Sequence, residues 1–280
     1  MKVALVLEGG AMRGLYTAGI LDYLLDTNIK IDGIIGVSAG ALFGVNYVSK
    51  QKGRSLRYNK KYINDKRYMS IRSLLTTGNL VNTKFAYHEL PTKLDIFDEE
   101  TYSKSKTDFY ATVTNIETGE AEYKKIINAT IQVDELRASG SMPFVSKPVK
   151  LKDGLYLDGA LADSIPVLKA KEMGYDKVIV VLTRTKEYRK PAPSEWIAKL
   201  FYKKYPNLVT AINTRYKKYN ETLDLIEELE SNKEVFVLRP SKDLKVKRIE
   251  KDLDKLQAIY DLGFEDIKNN IKDLKKYLKK

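Results

Sequence analysis

The first 50 residues alternate between short apolar runs and longer segments whose apolar side chains have helical spacing. The runs Val3–Leu7 and Ile31–Val37 have the length and composition of buried strands. Leu15–Leu25 and Ala39–Lys50 place apolar residues three and four positions apart, which predicts a helix after each strand. A strand–helix–strand–helix order is typical of a parallel sheet covered by helices, so these residues predict an α/β fold.

The region between residues 51 and 190 is less regular. Two turn sequences, Thr118-Gly119 and Asp153-Gly154, lie between β-rich runs and predict two hairpins. Residues 76–107 are polar and predict a loop. The hairpin strands are expected at Asp108–Asn115 with Glu120–Ile127 and at Pro148–Leu151 with Leu155–Leu157, a buried strand at Lys177–Thr183, and helices at Ser55–Tyr68, Val133–Ser139 and Val167–Met173.

Beyond residue 190 the pattern becomes mostly helical. Pro191 and Pro193 mark the break. Helical spacing then covers residues 194–204, 207–232 and 246–280, with one strand-like run at Val235–Leu238. We therefore expect a core domain over residues 1–190 and a mostly helical C-terminal extension over residues 191–280, packed on that core.

The composition excludes several kinds of chemistry. The chain has no cysteine, so disulfides, thiol catalysis and cysteine metal sites are excluded, and its single histidine excludes histidine-rich metal sites. We expect neither a cofactor nor a metal. The apolar run at the N-terminus is too short for a secretion signal, and no stretch reaches the roughly 20 apolar residues of a membrane span. These features predict a cytoplasmic protein.

The net charge of +12 is concentrated in residues 184–219, which hold ten basic and two acidic residues with aromatic residues between them. Such a segment suits peripheral contact with an anionic membrane. A solvated helical surface with no partner is the other interpretation. We expect no nucleic acid partner, and no oligomeric state follows from the sequence.

The sequence Gly36-Val37-Ser38-Ala39-Gly40 fits the nucleophile motif G-x-S-x-G. It lies between a predicted strand and a predicted helix, where a sharp turn would expose the Ser38 hydroxyl, with Gly36 and Gly40 leaving room on either side. The helix N-terminus would favour negative charge that develops there. A glycine-rich turn with Ser38 as an ordinary N-cap is the alternative.

A serine nucleophile requires a base, and histidine does not supply one here. His88 is the only histidine and lies in the polar stretch Phe85–Leu90, between the serine and the best acidic candidate. That candidate is Asp158 in Tyr156-Leu157-Asp158-Gly159-Ala160, at the end of a β-rich run. Burial beside Ser38 would raise its pKa and make it a useful base. An ordinary Asp-Gly turn is the alternative.

A glycine-rich loop follows the first strand and opens the first helix. Successive backbone N–H groups in such a loop form an anion site, which in a hydrolase would hold the oxyanion. The same loop nearly fits the dinucleotide motif G-x-G-x-x-G, with Ala11 at the central glycine, so a dinucleotide site is a further alternative. The loop consists of Gly9, Gly10, Ala11, Met12, Arg13 and Gly14.

These segments in this order resemble the patatin-like phospholipase family, especially its small bacterial esterases. Ala138-Ser139-Gly140-Ser141-Met142-Pro143 resembles the small-residue block that precedes the family's aspartate. The resemblance implies a three-layer α/β/α fold with a mainly parallel sheet and additional C-terminal helices. It also implies a Ser38–Asp158 dyad without histidine and an oxyanion loop at Gly9–Gly14. Ala11 departs from the family, which usually has a third glycine there.

The expected function is therefore hydrolysis of lipid acyl esters, of the phospholipase A or lysophospholipase type. Two alternatives accompany it. One is an anionic-lipid-binding protein of the same fold with little or no turnover, suggested by residues 184–219. The other is a dinucleotide-binding protein, suggested by the glycine-rich loop.

Overall fold

The computed structural model describes residues 1–279 and has one mainly parallel sheet at its centre. The strand order is β5-β6-β3-β2-β1-β7-β8, with β4 paired to β3. Neighbours from β3 to β8 run parallel, whereas β4, β5 and β6 form antiparallel pairs. The strands are β1 (Val3–Leu7), β2 (Gly33–Val37), β3 (Asp108–Asn115), β4 (Ala121–Lys125), β5 (Val149–Leu151), β6 (Gly154–Asp158), β7 (Lys177–Val181) and β8 (Val235–Leu238).

Helices connect the strands and cover the sheet. Short 3-10 turns at Ala11–Arg13 and Gly159–Leu161 and a π-helical segment at Lys84–Leu94 complete the regular structure. The α-helices are α1 (Gly14–Leu25), α2 (Ala39–Val48), α3 (Arg54–Tyr62), α4 (Ile71–Thr77), α5 (Glu99–Lys104), α6 (Val133–Ser139), α7 (Val167–Glu172), α8 (Glu195–Tyr202), α9 (Pro206–Ser231) and α10 (Leu253–Lys279).

The side chains of β1 show why the sheet is covered on both faces. Val3, Leu5 and Leu7 pack in one cluster with α1, α2 and α10. Ala4 and Val6 point the other way, into a cluster with α7 and α9. Because successive side chains of a strand alternate between faces, a strand that is apolar throughout needs a helical layer on each side. The predicted three-layer α/β/α architecture is confirmed.

The register along β3 determines where β6 ends. β2 pairs in parallel with the first part of β3, up to the pair Val37 and Thr112. β4 occupies the opposite edge of β3. β6 therefore pairs antiparallel with the remaining part of β3 on the same edge as β2, and its last residue, Asp158, pairs with Val113. The last residue of β6 therefore lies directly beyond the carboxyl end of β2.

The C-terminal residues join the sheet and the helical layers on both of its faces, with α10 on one face and α9 on the other. β8 extends the sheet through parallel pairing with β7. α10 packs closely along α1, since a methyl group on Gly263 would lie 2.0 Å from the carbonyl oxygen of Tyr16. The connection from β8 to α10 reaches the glycine-rich loop, where the Met12 amide donates to the Arg248 carbonyl at 3.3 Å. Among residues 1–279, no helix is long and apolar enough to cross a bilayer.

The structure differs from the sequence prediction in three segments. Residues 76–107 are not a loop but contain the π-helical segment and α5, which a few buried side chains such as Phe85, Leu90 and Tyr102 attach to the core. Such sparse anchors are too few to give a periodic apolar pattern. The helix expected over Ser55–Tyr68 ends at Tyr62, and the helix expected from residue 246 begins at Leu253.

Candidate active site

Ser38 forms the turn between β2 and α2. Its backbone has φ 55° and ψ −122°, a strained conformation that a non-glycine residue seldom adopts. The turn is tight because a methyl group on Gly40 would lie 2.4 Å from the Leu7 carbonyl oxygen, and one on Gly36 would lie 2.6 Å from the Ala41 Cα. The G-x-S-x-G pattern therefore corresponds to a strand-to-helix elbow.

Asp158 lies against this elbow. The Ser38 hydroxyl donates a hydrogen bond to Asp158 Oδ2 at 2.7 Å, and the two residues are only 7% and 5% exposed. The other carboxylate oxygen accepts from the Ala160 amide at 2.9 Å. Glycine is required at the next position, since a methyl group on Gly159 would lie 2.2 Å from the Thr112 carbonyl oxygen. The Asp-Gly-Ala sequence thus fixes both the position and the orientation of the carboxylate.

Burial is the main influence on the Asp158 carboxyl and raises its pKa above the ordinary value. The positive charges of Arg215 and Arg248 and the hydrogen bonds from Ser38 and the Ala160 amide act in the opposite direction, without cancelling the effect of burial. A carboxylate with a raised pKa is a stronger base than an exposed one. The Ser38 hydroxyl therefore lies beside a buried carboxylate whose raised pKa would suit deprotonation of that hydroxyl.

The small-residue block at the end of α6 holds both residues in place. The Ser38 amide donates to Ser139 Oγ at 2.9 Å, and the Asp158 amide donates to the Ser141 carbonyl at 2.9 Å. Ser139 is fully buried. The sequence singled out this block only through its family resemblance, because a contact such as Ser38 with Ser139, about 100 positions apart, leaves no local pattern.

The backbone N–H groups of the glycine-rich loop fall into two sets. The Met12 amide donates to the Arg248 carbonyl, and the Arg13 amide donates to the Gly10 carbonyl at 3.1 Å. In the described part of the chain, the amides of Gly9, Gly10 and Ala11 have no hydrogen-bond acceptor. Ala11 takes a positive φ of 49°, the region that favours the glycine of the family pattern. Three successive donors are thus available beside Ser38.

His88 is not part of this arrangement. Its side chain is exposed at the rim of an apolar cavity, while the Ser38 hydroxyl bonds to Asp158. The geometry agrees with the expectation that the single histidine does not act as the base.

Two cavities meet at Ser38, and both are lined by Ala11, Ser38 and Met142. The first has a volume of about 190 Å³ and mostly apolar walls, including Phe43 and Leu136. The second has a volume of about 550 Å³ and contains the Gly9–Ala11 backbone, Asp158 and a group of basic side chains. A molecule with an apolar part and an anionic part could therefore occupy both cavities with its reacting bond at Ser38.

A sequence model described as Patatin-like phospholipase matches residues 5–171, more than half of the chain. The chain therefore belongs to the patatin-like phospholipase family, as its motifs predicted. This membership confirms the predicted enzyme class, the lipid carboxylic ester hydrolases. A second model, described as a domain of unknown function (DUF6363), matches residues 205–279.

Three relatives show how far the similarity extends. The Escherichia coli protein YjjU, described as uncharacterized, is 26% identical over 277 residues, covering 94% of this chain and 75% of YjjU. Lysophospholipase NTE1 of Lodderomyces elongisporus is 25% identical, covering 93% of this chain but 18% of the relative. Patatin-like phospholipase domain-containing protein 7 of Rattus norvegicus is 27% identical, covering 64% of this chain and 13% of the relative. The chain thus spans less than a fifth of the latter two relatives.

We predict that Ser139→Ala lowers the free energy of unfolding by about 1–3 kcal/mol, because it leaves the buried Ser38 amide without an acceptor. Urea denaturation of the purified protein measures this change. Ser103→Ala is the matched control, since its hydroxyl is exposed, and it should change stability by less than about 0.5 kcal/mol. Equal stability of the two variants would contradict the positioning role of Ser139.

Proposed function

We propose that the chain is a serine hydrolase of lipid acyl esters, with Ser38 as nucleophile and Asp158 as its base. The observation that carries the proposal is the 2.7 Å hydrogen bond from a strained, elbow-positioned hydroxyl to a buried carboxylate. Nucleophile and base must lie within hydrogen-bond reach for such catalysis, and this pair does. The family and its lysophospholipase members support the choice of a lipid ester as substrate.

The proposed reaction has two halves. Asp158 takes the Ser38 proton as Oγ attacks the ester carbonyl, and the amides of Gly9, Gly10 and Ala11 stabilise the oxyanion. Asp158 then gives the proton to the departing alkoxide, leaving an acyl-serine. In the second half, Asp158 removes a proton from water, which attacks the acyl-serine. The proton returns to Ser38 Oγ as the fatty acid leaves.

The apolar cavity is suited to the acyl chain. Its walls include Leu42, Phe43, Leu90 and Leu136, and Ser38 and Ala39 also line it. Burying a chain there removes apolar surface from water, which favours binding in proportion to the buried area. The ester carbon of a chain in this cavity would lie at Ser38, beside the free loop amides.

We expect Ser38→Ala to abolish ester hydrolysis and Asp158→Asn to lower kcat/KM by about 10²–10⁴-fold, since asparagine cannot accept the proton. The assay is hydrolysis of monoacylglycerols of graded chain length, with thermal unfolding as a check that the variants fold. Ser103→Ala is the control and should retain wild-type rates. Full activity in either dyad variant would refute the mechanism.

The same assay decides between the enzyme and the lipid-binding alternative. A wild-type protein that binds anionic vesicles but hydrolyses no ester of any chain length would favour a binding protein of this fold. The intact serine, aspartate and loop amides support the enzyme.

The direction of the Asp158 pKa shift predicts the pH dependence. Only the deprotonated carboxylate acts as a base, so kcat/KM should fall as pH decreases through a midpoint above the value of about 3.9 for an exposed aspartate. Arg215→Met removes a positive charge that lowers the Asp158 pKa. The fall of kcat/KM at acidic pH should therefore occur at higher pH in this variant than in the wild type. A fall that stays in place or moves to lower pH would contradict the assignment of Asp158.

We also propose that α8 contacts the membrane that supplies the substrate. Its Trp196, Leu200 and Phe201 are 60–67% exposed, and lysines lie next to them. The Phe201 ring packs 5.3 Å from Phe144, which lines the larger cavity. An exposed apolar and basic helix at the rim of a lipid site is suited to peripheral binding to anionic lipid.

Leu200→Ser should weaken binding to vesicles containing phosphatidylglycerol by roughly fivefold, which corresponds to about 1 kcal/mol of lost apolar insertion. Sedimentation with vesicles measures the change. Leu168→Ser on α7 removes a leucine of similar exposure and is the control. If both variants bind as the wild type does, α8 is not the contact.

A further inference from the structure

The larger cavity is lined by an unusual concentration of positive charge. Five basic side chains line it, and Glu8 and Asp158 are the carboxylates on its wall. The five come from the glycine-rich loop, the segment after β7, α9 and the connection before α10, so the fold gathers them from distant parts of the chain. They are Arg13, Arg184, Lys190, Arg215 and Arg248.

The carboxylates do not neutralise this group. Glu8 Oε2 accepts from the Thr183 amide at 2.6 Å, and Glu8 Oε1 accepts from the Tyr219 hydroxyl at 2.7 Å. Asp158 is bonded to Ser38 and the Ala160 amide. Within residues 1–279, no carboxylate oxygen lies within 4.0 Å of a side-chain nitrogen of the five basic residues.

Arg189, which lies in the same basic segment but outside the cavity, does have acidic partners. Arg189 forms ion pairs with Asp224 at 2.9 Å and Glu227 at 3.3 Å. In the cavity, by contrast, Arg215 Nε reaches only the Ser164 hydroxyl at 3.3 Å, and in the described chain the buried Nε of Arg13 has no partner. The cavity arginines are thus left with donors that a bound anion could use.

The basic groups also repel one another. Burial is the largest effect on Lys190 and, together with the charges of Arg215, Arg248 and Arg13, lowers its pKa to about 7 despite the opposing charge of Glu8. Burial likewise lowers the pKa of Arg13, with further lowering by Arg184 and Arg248. An anion with more than one negative charge would relieve this repulsion, and guanidinium groups bind phosphate oxygens in pairs.

Two tyrosine rings of the larger cavity are not free to bind a quaternary ammonium group. Arg184 lies over the Tyr188 ring at 4.3 Å, and Lys190 lies over the Tyr219 ring at 4.4 Å. These two ring faces, which would otherwise attract a choline group, already carry a cation. The charge of the cavity therefore disfavours a zwitterionic choline headgroup.

We propose that the larger cavity binds the phosphomonoester headgroup of a monoacyl lipid, so that the preferred substrate is an acyl glycerol phosphate. This inference rests on the proposed hydrolase function. The acyl chain would occupy the apolar cavity, the ester would lie at Ser38, and the phosphate would accept hydrogen bonds from the basic group. The two cavities share Ser38, which is the arrangement that a substrate with these two ends requires.

The test compares three substrates with the same short acyl chain: an acyl glycerol phosphate, an acyl glycerol and an acyl glycerophosphocholine. Each is presented as a monomer, below its aggregation threshold, so that surface charge of a micelle plays no part. For the wild type, kcat/KM should be at least about tenfold higher for the phosphate than for the other two.

Arg248→Gln and Arg184→Gln should each lower the ratio of kcat/KM for the phosphate to that for the acyl glycerol by about tenfold. The ratio cancels any difference in the fraction of folded enzyme. Lys217→Gln on α9 is the matched control, since Lys217 is exposed and does not line the cavity, and its ratio should equal that of the wild type.

The outcomes separate the two proposals. If the protein hydrolyses none of the three substrates and no other acyl ester, the hydrolase function is refuted. Hydrolysis of all three at equal kcat/KM would overturn the headgroup inference while leaving the hydrolase intact. If inorganic phosphate raises the melting temperature of the wild type but not of Arg248→Gln while the substrate ratio stays at one, the cavity binds free phosphate and the inference is likewise overturned.

Discussion

The site depends on the way β2 and β6 share one edge of β3. β2 ends at the pair Val37 and Thr112, and β6 arrives from the opposite direction to end at the pair Val113 and Asp158. The residue after β2 is Ser38, so consecutive positions along β3 bring the hydroxyl and the carboxylate to 2.7 Å. The strained elbow at Ser38 persists because the strand, the helix and the small-residue block all constrain it.

The C-terminal residues complete the site. The sequence models divide the chain into residues 5–171 and 205–279, yet the second part supplies Arg215 and Arg248 to the cavity beside Ser38. The Arg248 carbonyl also holds the Met12 amide, which leaves the preceding loop amides as the donors available to an oxyanion. We therefore infer that substrate selection depends on residues outside the family's matched region.

Much of this arrangement could be predicted from local sequence. The strands, the elbow glycines and the Asp-Gly-Ala step have composition and spacing that reflect backbone geometry, and the shortage of histidine pointed to a carboxylate base. Three features could not be predicted: the role of Ser139, the helices within residues 76–107, and which residues of the basic segment line the cavity rather than form ion pairs. Arg189 and Arg215 are equivalent residues in the sequence. In the fold, Arg189 has an acidic partner, whereas Arg215 lies in the cavity without one. Such differences arise from long-range packing, which leaves no periodic pattern.

Locating the adduct of a fluorophosphonate on the protein tests most directly whether Ser38 is the nucleophile. Trypsin releases the peptide Ile31–Lys50, which contains Ser38 and Ser49 as its serines, and fragmentation in a mass spectrometer distinguishes them. We expect stoichiometric modification of Ser38 with loss of ester hydrolysis. Inactivation with the adduct on another residue, or full modification of Ser38 with activity retained, would contradict it.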